Sequence, residues 1–155
     1  MLTMNRQQLI LSLQEEYSLS RFTGCNITGE PFEYLFAILS RGWQKHHNIE
    51  ALYRSGWLLL SRDKDDKNCW QIVKTAALLG HPAAALDMFL KDFEPSTLSF
   101  APASLHWLKE AAIGGDPLSA KWYILLADAD KLMPERSVME VAVQTLEQET
   151  ENSNE

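Results

Sequence analysis

The sequence predicts an all-α fold of about eight helices that stack as antiparallel pairs. Residues 74–82 read KTAALLGHP, and residues 109–117, which lie 35 positions later, read KEAAIGGDP. Each phrase is typical of a helix end, a glycine that closes it, and a proline that opens the next helix. Self-similarity at a fixed period of this size indicates a helical repeat array. No run of alternating β-branched residues competes with this pattern.

The N-terminal part begins with a predicted helix over residues 5–20. Leu9, Leu13 and Tyr17 recur in it at four-residue spacing, so they share one face. Residues 22–30 contain two glycines and an asparagine, which predicts a loop before the next helix.

The second predicted helix opens at Pro31 and runs to residue 41, where Gly42 ends it. A third helix covers residues 49–60 and presents a broad apolar face. The charge-dense stretch 62–67 follows it and is expected to form a polar turn.

The C-terminal part is punctuated by glycine and proline in the same way. A loop with one proline and two serines, residues 94–101, separates its helices into two groups. The predicted helices are 69–79, 82–93, 102–114, 117–128 and 134–146.

The last nine residues, 147–155, differ in composition from everything before them. They contain four glutamates and no apolar residue after Leu146. Such a segment cannot bury enough surface to offset the entropy of ordering it. We therefore expect one domain, residues 1–146, followed by an acidic disordered tail, residues 147–155.

The repeated phrase resembles the Sel1-like repeat, a relative of the tetratricopeptide repeat (TPR). The resemblance is carried by the Ala-Ala-x-x-Gly-His/Asp pattern at 76–81 and 111–116, each followed by a helix that begins with small residues. It covers residues 48–127, with an earlier partial copy at 48–56. The copies are degenerate, since charged residues 62–66 replace the mid-repeat Gly-x-Gly turn. The resemblance implies a short TPR/Sel1-like solenoid, protein–protein scaffolding, often in bacteria, and no enzymatic activity of its own.

The charge of the chain is distributed unevenly. The net charge is −7; residues 1–62 carry 6 basic and 5 acidic residues, whereas residues 63–155 carry 8 and 16. The acidic half argues against a nucleic-acid partner, because the phosphate backbone requires a basic surface. It favours a basic protein partner, which such charge would steer toward the chain.

The sequence also gives expectations about location. No stretch of 18 apolar residues occurs, so no membrane-spanning helix and no membrane partner are predicted. The N-terminus lacks the features of a secretory signal, and the two cysteines are not spaced for metal binding. We expect a cytoplasmic protein with reduced thiols.

No pattern predicts a catalytic, cofactor or metal site. The adjacent pair 46–47, both histidines, has no third ligand nearby. The acidic turn 62–67 lacks the alternating oxygens of a calcium loop. Ser104, His106 and Asp116 belong to no nucleophile motif. We therefore expect a non-enzyme without cofactors or metals.

A candidate partner-binding surface follows from the repeat. Counting seven residues on from the turn residue of each copy gives Arg54, Asp87 and Trp122. In related repeats this helix lines the concave face, so these three side chains are expected to point the same way. Glu50 and Lys91 lie one turn away on the same helices. We expect Trp122 to be an exposed anchor, because tryptophan is enriched at interface hot spots.

The sequence therefore favours a non-catalytic protein–protein interaction module. A concrete form is a cytosolic bacterial immunity protein that binds and neutralises one specific toxin. An assembly adaptor or a secretion chaperone is the alternative within the same class. An enzyme with an unrecognised site is the alternative from a different class. A broad groove would favour a binding protein, and a concave site with convergent titratable groups would favour an enzyme.

Overall fold

The computed structural model describes residues 5–22, 30–63 and 67–153, and this part of the chain contains eight α-helices and no β-strand. A short 3₁₀ turn, Pro102–Ser104, precedes the sixth helix. The prediction of an all-α fold with about eight helices is confirmed. The helices are α1 Arg6–Phe22, α2 Glu30–His46, α3 Ile49–Arg62, α4 Lys67–Leu78, α5 Pro82–Lys91, α6 Leu105–Ile113, α7 Pro117–Asp128 and α8 Arg136–Ser153.

The repeated phrase forms the same turn in both copies. The N–H of Gly80 donates to the carbonyl of Ala77 over 3.0 Å, and that of His81 donates to Ala76 over 3.0 Å. The second copy closes with the same two bonds, at 3.1 and 3.3 Å. This pair of bonds is a Schellman motif, which requires a left-handed residue after the helix. Gly80 and Gly115 supply it with φ values of +98° and +89°.

The helices α3, α5 and α7 begin with the same kind of side-chain cap. Asn48, His81 and Asp116 each accept a hydrogen bond from the backbone N–H three residues ahead, at 3.1, 3.2 and 3.0 Å. Each caps the N-terminus of its helix, α3, α5 or α7. In the first copy His47, with φ +52°, stands where the other copies have glycine. Residues 54, 87 and 122 therefore hold the same position in their helices.

Consecutive helices pack against each other from α2 to α8, α6 also contacts α8, and α1 packs on α7. Small residues allow the close approaches, as the repeat pattern predicts. The alanines Ala76, Ala84, Ala111 and Ala120 are fully buried. The largest fully buried side chains are Trp122, Tyr123, Phe89, Leu13, Leu86 and Leu108.

Helix α2 does not end at Gly42, which corrects the sequence prediction. The helix continues to His46, and a left-handed residue, His47, follows it. A Cβ atom at Gly42 would lie 3.1 Å from the Cβ of Ala51. Gly42 therefore serves the close packing of α2 on α3 rather than the end of a helix.

Helix α8 also differs from the prediction, because it extends through Ser153 and includes most of the segment expected to be disordered. Within it, Glu149 is partly buried and lies 3.4 Å from the Nζ atom of Lys121, which also contacts Glu16. Residues 154–155 of the predicted tail lie outside the described residues. So do residues 23–29 and 64–66, the centres of two predicted loops.

Candidate functional site

The predicted partner-binding surface is split between buried and exposed side chains. Asp87 has no exposed surface and Trp122 is 1% exposed, whereas Glu50, Arg54 and Lys91 are exposed. The prediction that Asp87 and Trp122 face a partner is therefore wrong. Their position in the repeat is the expected one, but this surface is not open to solvent at those two residues.

Helix α1 covers that surface. Tyr17 and Arg21 both contact the carboxylate of Asp87, and Glu16 binds the Nζ atom of Lys121 on α7 at 3.1 Å. Leu13, also on α1, is 1% exposed and belongs to the core. Helix α1 thus fills the place where a partner was expected.

Asp87 is the centre of a buried polar network. Its Oδ1 atom accepts hydrogen bonds from the hydroxyl of Tyr17 at 2.8 Å and from Nε of Arg21 at 2.9 Å. Its Oδ2 atom accepts from the hydroxyl of Tyr53 at 2.6 Å and from Nε1 of Trp57 at 2.8 Å. Four donors from α1 and α3 therefore converge on one carboxylate of α5. This arrangement fixes three helices relative to each other.

Burial dominates the electrostatics of this network. Desolvation raises the pKa of Asp87, while the Arg21 guanidinium and the donated hydrogen bonds lower it in part. Burial, followed by the nearby Asp87 carboxylate, raises the pKa of Tyr17 and of Tyr53 well above the usual range. Both phenols are held as hydrogen-bond donors to the Asp87 carboxylate.

Trp122 is a core side chain. Its ring meets that of Phe93 edge-on, with centroids 5.3 Å apart. Its Nε1 atom is buried and has no hydrogen-bond partner among the described residues. A small cavity of about 180 Å³ lies beside it, between α1 and the end of α5. Trp57 is also buried in the core, and the other three tryptophans are partly buried and pack against it.

The exposed part of the predicted surface pairs its charges internally. Glu50 binds Nε of Arg54 at 3.0 Å and Nε2 of His81 at 2.6 Å. The Nδ1 atom of His81 accepts the N–H of Ala84 in the helix cap, so the proton lies on Nε2, which donates to Glu50. Burial raises the pKa of Glu50, but the bonds from His81 and Arg54 outweigh it and lower that pKa overall.

Lys91, the fifth predicted residue, lies over an aromatic ring. Its Nζ atom is 5.0 Å from the centroid of Trp70, within range of a cation–π contact. Lys91, like Glu50 and Arg54, already has an intramolecular contact.

A second surface, which the repeat pattern does not predict, lies along α8. Met139, Val143 and Leu146 follow each other at spacings of four and three residues, so they form one stripe on this helix. Val143 is 41% exposed. Two shallow grooves of about 540 and 440 Å³ run along the stripe and share Val143 and Glu147. We call the α8 face the set Ile124, Met139, Glu140, Val143, Leu146, Glu147 and Glu151.

The charges of the α8 face are only partly compensated. Glu140 pairs with Arg136 at 3.0 Å, four residues before it. Glu147 and Glu151 also lie four residues apart, and neither has a cationic partner among the described residues. The last turn of α8 carries no basic residue. The spacing of the stripe was visible in the sequence, but the segment beyond Leu146 was interpreted as disordered, so the surface was missed.

Comparisons with family models, curated proteins and solved structures give no match to this chain. The Sel1-like resemblance therefore remains a prediction.

The chemistry candidates of the sequence have other roles in the structure. The Nδ1 atom of His106 bonds the carbonyl of Ala103 at 2.6 Å, and Asp116 caps α7. Ser104 occupies the N-cap position of α6 without a side-chain capping bond. Across the described ranges, no group of three or more His, Cys, Asp or Glu residues could hold a metal ion. None of the described helices is long and apolar enough to cross a membrane.

Proposed function

We propose that this chain is a non-catalytic protein-interaction module that binds a basic protein through its acidic C-terminal half. The observation that carries the proposal is the surface position of the charge in residues 63–155. With the exceptions of Asp87, Asp116 and Glu149, every described carboxylate of this half belongs to an exposed residue. The acidic excess of the sequence is thus available to a partner.

Such a surface affects association more than the final affinity. Complementary charge raises the association rate by steering a partner toward the correct face. Salt weakens this steering, because the screening length is about 8 Å at physiological ionic strength. The proposal therefore includes a kinetic property that an experiment can measure.

Within this class, the role we favour is that of a cytoplasmic bacterial immunity protein that neutralises one toxin. Its support is the small size of the domain, its acidity, and a helical repeat pattern that is typical of recognition proteins. The alternative role within the class is an assembly adaptor or secretion chaperone. Co-expression with the partner separates the two, since only an immunity protein restores growth to cells that produce a toxic partner.

The test begins with capture of the partner from the native host and its identification by mass spectrometry. Association and dissociation rates are then measured for the purified pair from low salt to 0.5 M salt. We expect the association rate to fall at least about tenfold over this range, and the dissociation rate to change much less. An association rate indifferent to salt would contradict the electrostatic part of the proposal. A small-molecule turnover by the chain alone would contradict the non-catalytic part.

A further inference from the structure

We propose that the α8 face is the docking site for an amphipathic helix of the partner, with basic residues along one edge of that helix. The proposal rests on the function proposed above and adds a place, a shape and a charge pattern to it.

The apolar residues of the α8 face line two shallow grooves. Val143 is the exposed centre of the stripe along α8; Met139, Leu146 and Ile124 of α7 are partly buried beside it, and Met139 also packs against the core. The two grooves extend from Pro134 to Glu151, which corresponds to about 25 Å of helix. A helix of four to five turns fits a groove of roughly this length, and helix-in-groove binding is a common way to recognise a partner.

The charge of the surface selects the kind of helix. Glu140, Glu147 and Glu151 lie along one edge of the stripe, at spacings of seven and four residues. The cation on the same side, Arg136, is engaged by Glu140. A partner helix with lysine or arginine at matching positions would pair with the two remaining carboxylates while its apolar side covers Val143.

The stability of α8 itself points the same way. Like charges four residues apart repel each other on a helix, as Glu147 and Glu151 do. Negative charge is also unfavourable near a helix C-terminus, where the helix dipole is negative. A basic partner would remove both costs, so binding should also stabilise the last turns of α8. The composition that led to a prediction of disorder is, in this view, a property of the binding site.

A second copy of the chain is a poorer occupant of this surface. An antiparallel two-fold contact of α8 on α8 would bring the acidic edge of one copy against that of the other. The surface beneath α1 is a poorer docking site as well, because Tyr17 and Arg21 already occupy it.

The test uses a synthetic 18-residue peptide of leucine and lysine arranged as an amphipathic helix. Two control peptides are a scrambled sequence of the same composition and a version with glutamate in place of lysine. Binding to the full-length chain is mapped by backbone NMR shifts and measured by calorimetry. We expect the amphipathic lysine peptide to bind most tightly, with shifts concentrated in residues 135–151.

Three variants of the chain sharpen the test. Val143→Asp and the double variant Glu147→Lys/Glu151→Lys should each weaken peptide binding about tenfold or more. The matched control Glu15→Lys/Glu110→Lys changes two exposed acidic residues on other helices and should alter affinity less than about twofold. Thermal unfolding checks that each variant is folded, which we expect because the substituted residues are exposed.

Shifts centred elsewhere, or equal binding by wild type and Val143→Asp, would overturn the docking site. A chain that dimerises, and loses its dimer on Val143→Asp, would assign the surface to a second copy and overturn it too. The native partner could also associate in a salt-dependent way and bind Val143→Asp with unchanged affinity. That result would overturn this inference but would still support the proposed function. If no basic partner exists while the peptide still binds the α8 face, the proposed function fails instead.

Discussion

The carboxylate of Asp87 and the last carboxylates of α8 differ in burial and in hydrogen bonding. Asp87 is fully buried and accepts four hydrogen bonds from α1 and α3. Glu147 and Glu151 lie exposed on the last turns of α8. The sequence predicts the reverse, with Asp87 facing a partner and the last glutamates in a disordered tail. Arg54 is exposed whereas Asp87 and Trp122, at the same repeat position, are buried, so position in a repeat does not determine exposure.

The reason lies in contacts that are distant in the sequence. Arg21 and Asp87 are 66 residues apart, and no local sequence pattern predicts that they pair. Whether a residue at the repeat position of Asp87 is open to a partner depends on where α1 lies. A buried acidic residue with paired donors indicates structure, and an exposed acidic row without them is available for binding.

The largest expected effect is at Asp87. Asp87→Asn removes the buried negative charge that Nε of Arg21 contacts at 2.9 Å, which should destabilise the fold by about 3–5 kcal/mol. The measurement is urea unfolding at neutral pH. The control Glu140→Gln breaks an exposed ion pair on α8 and should change stability by less than about 1 kcal/mol. Equal effects of the two substitutions would remove the distinction between buried and exposed carboxylates.

The next effect concerns the phenols that bind Asp87. Tyr53→Phe removes a hydrogen bond to a buried carboxylate and should lower the free energy of unfolding by about 1.5–3 kcal/mol. Tyr34→Phe is the matched control, because Tyr34 is 70% exposed. The same urea series compares them. A Tyr53→Phe variant as stable as Tyr34→Phe would show that the network is not holding α3 to α5.

Alkaline pH should act on the same network. The pKa values of Tyr17 and Tyr53 are raised in the folded state above the unfolded value of about 10. The folded state thus retains protons that the unfolded state releases, so stability should fall as pH rises above about 10. Ultraviolet absorbance of the phenolate would follow the ionisation of tyrosine. Tyr17 and Tyr53 are expected to ionise only when the chain unfolds, and their ionisation in the folded chain would contradict the burial.

The smallest effect is expected at the end of α8. Truncation after Leu146 removes turns in which Glu149 is partly buried and the other residues of 147–152 are exposed, so the melting temperature should change by no more than about 2 °C. Calorimetry of the truncated and full chains gives the comparison. A drop of 10 °C or more would show that these turns hold the fold together, and would weaken the case that they are kept for binding.

Much of the fold was predictable because its signals are local. Gly80 and Gly115 end helices with the left-handed turn that the sequence pattern predicted, and α7 has the predicted bounds. The failures involve contacts between distant segments. Gly42 packs against Ala51 instead of ending α2, and α1 covers Asp87. The pattern of a single sequence does not indicate which helix faces pack against each other.

The candidate site was predictable only in part. The net charge of the C-terminal half indicated a basic partner, but the chosen residues followed the repeat position and missed α8. The stripe Met139, Val143 and Leu146 has helical spacing in the sequence. Its importance depends on α8 extending past Leu146 with one face uncovered, which composition alone argued against.

The most direct test of the account is amide hydrogen exchange of the full chain with and without its isolated native partner. The account predicts that binding slows exchange in residues 136–153 of α8 and leaves the Glu50–Arg54 segment of α3 unchanged. Protection centred on Glu50, Arg54 and Lys91, with no change in α8, would contradict it. That result would return the binding surface to the position first indicated by the repeat.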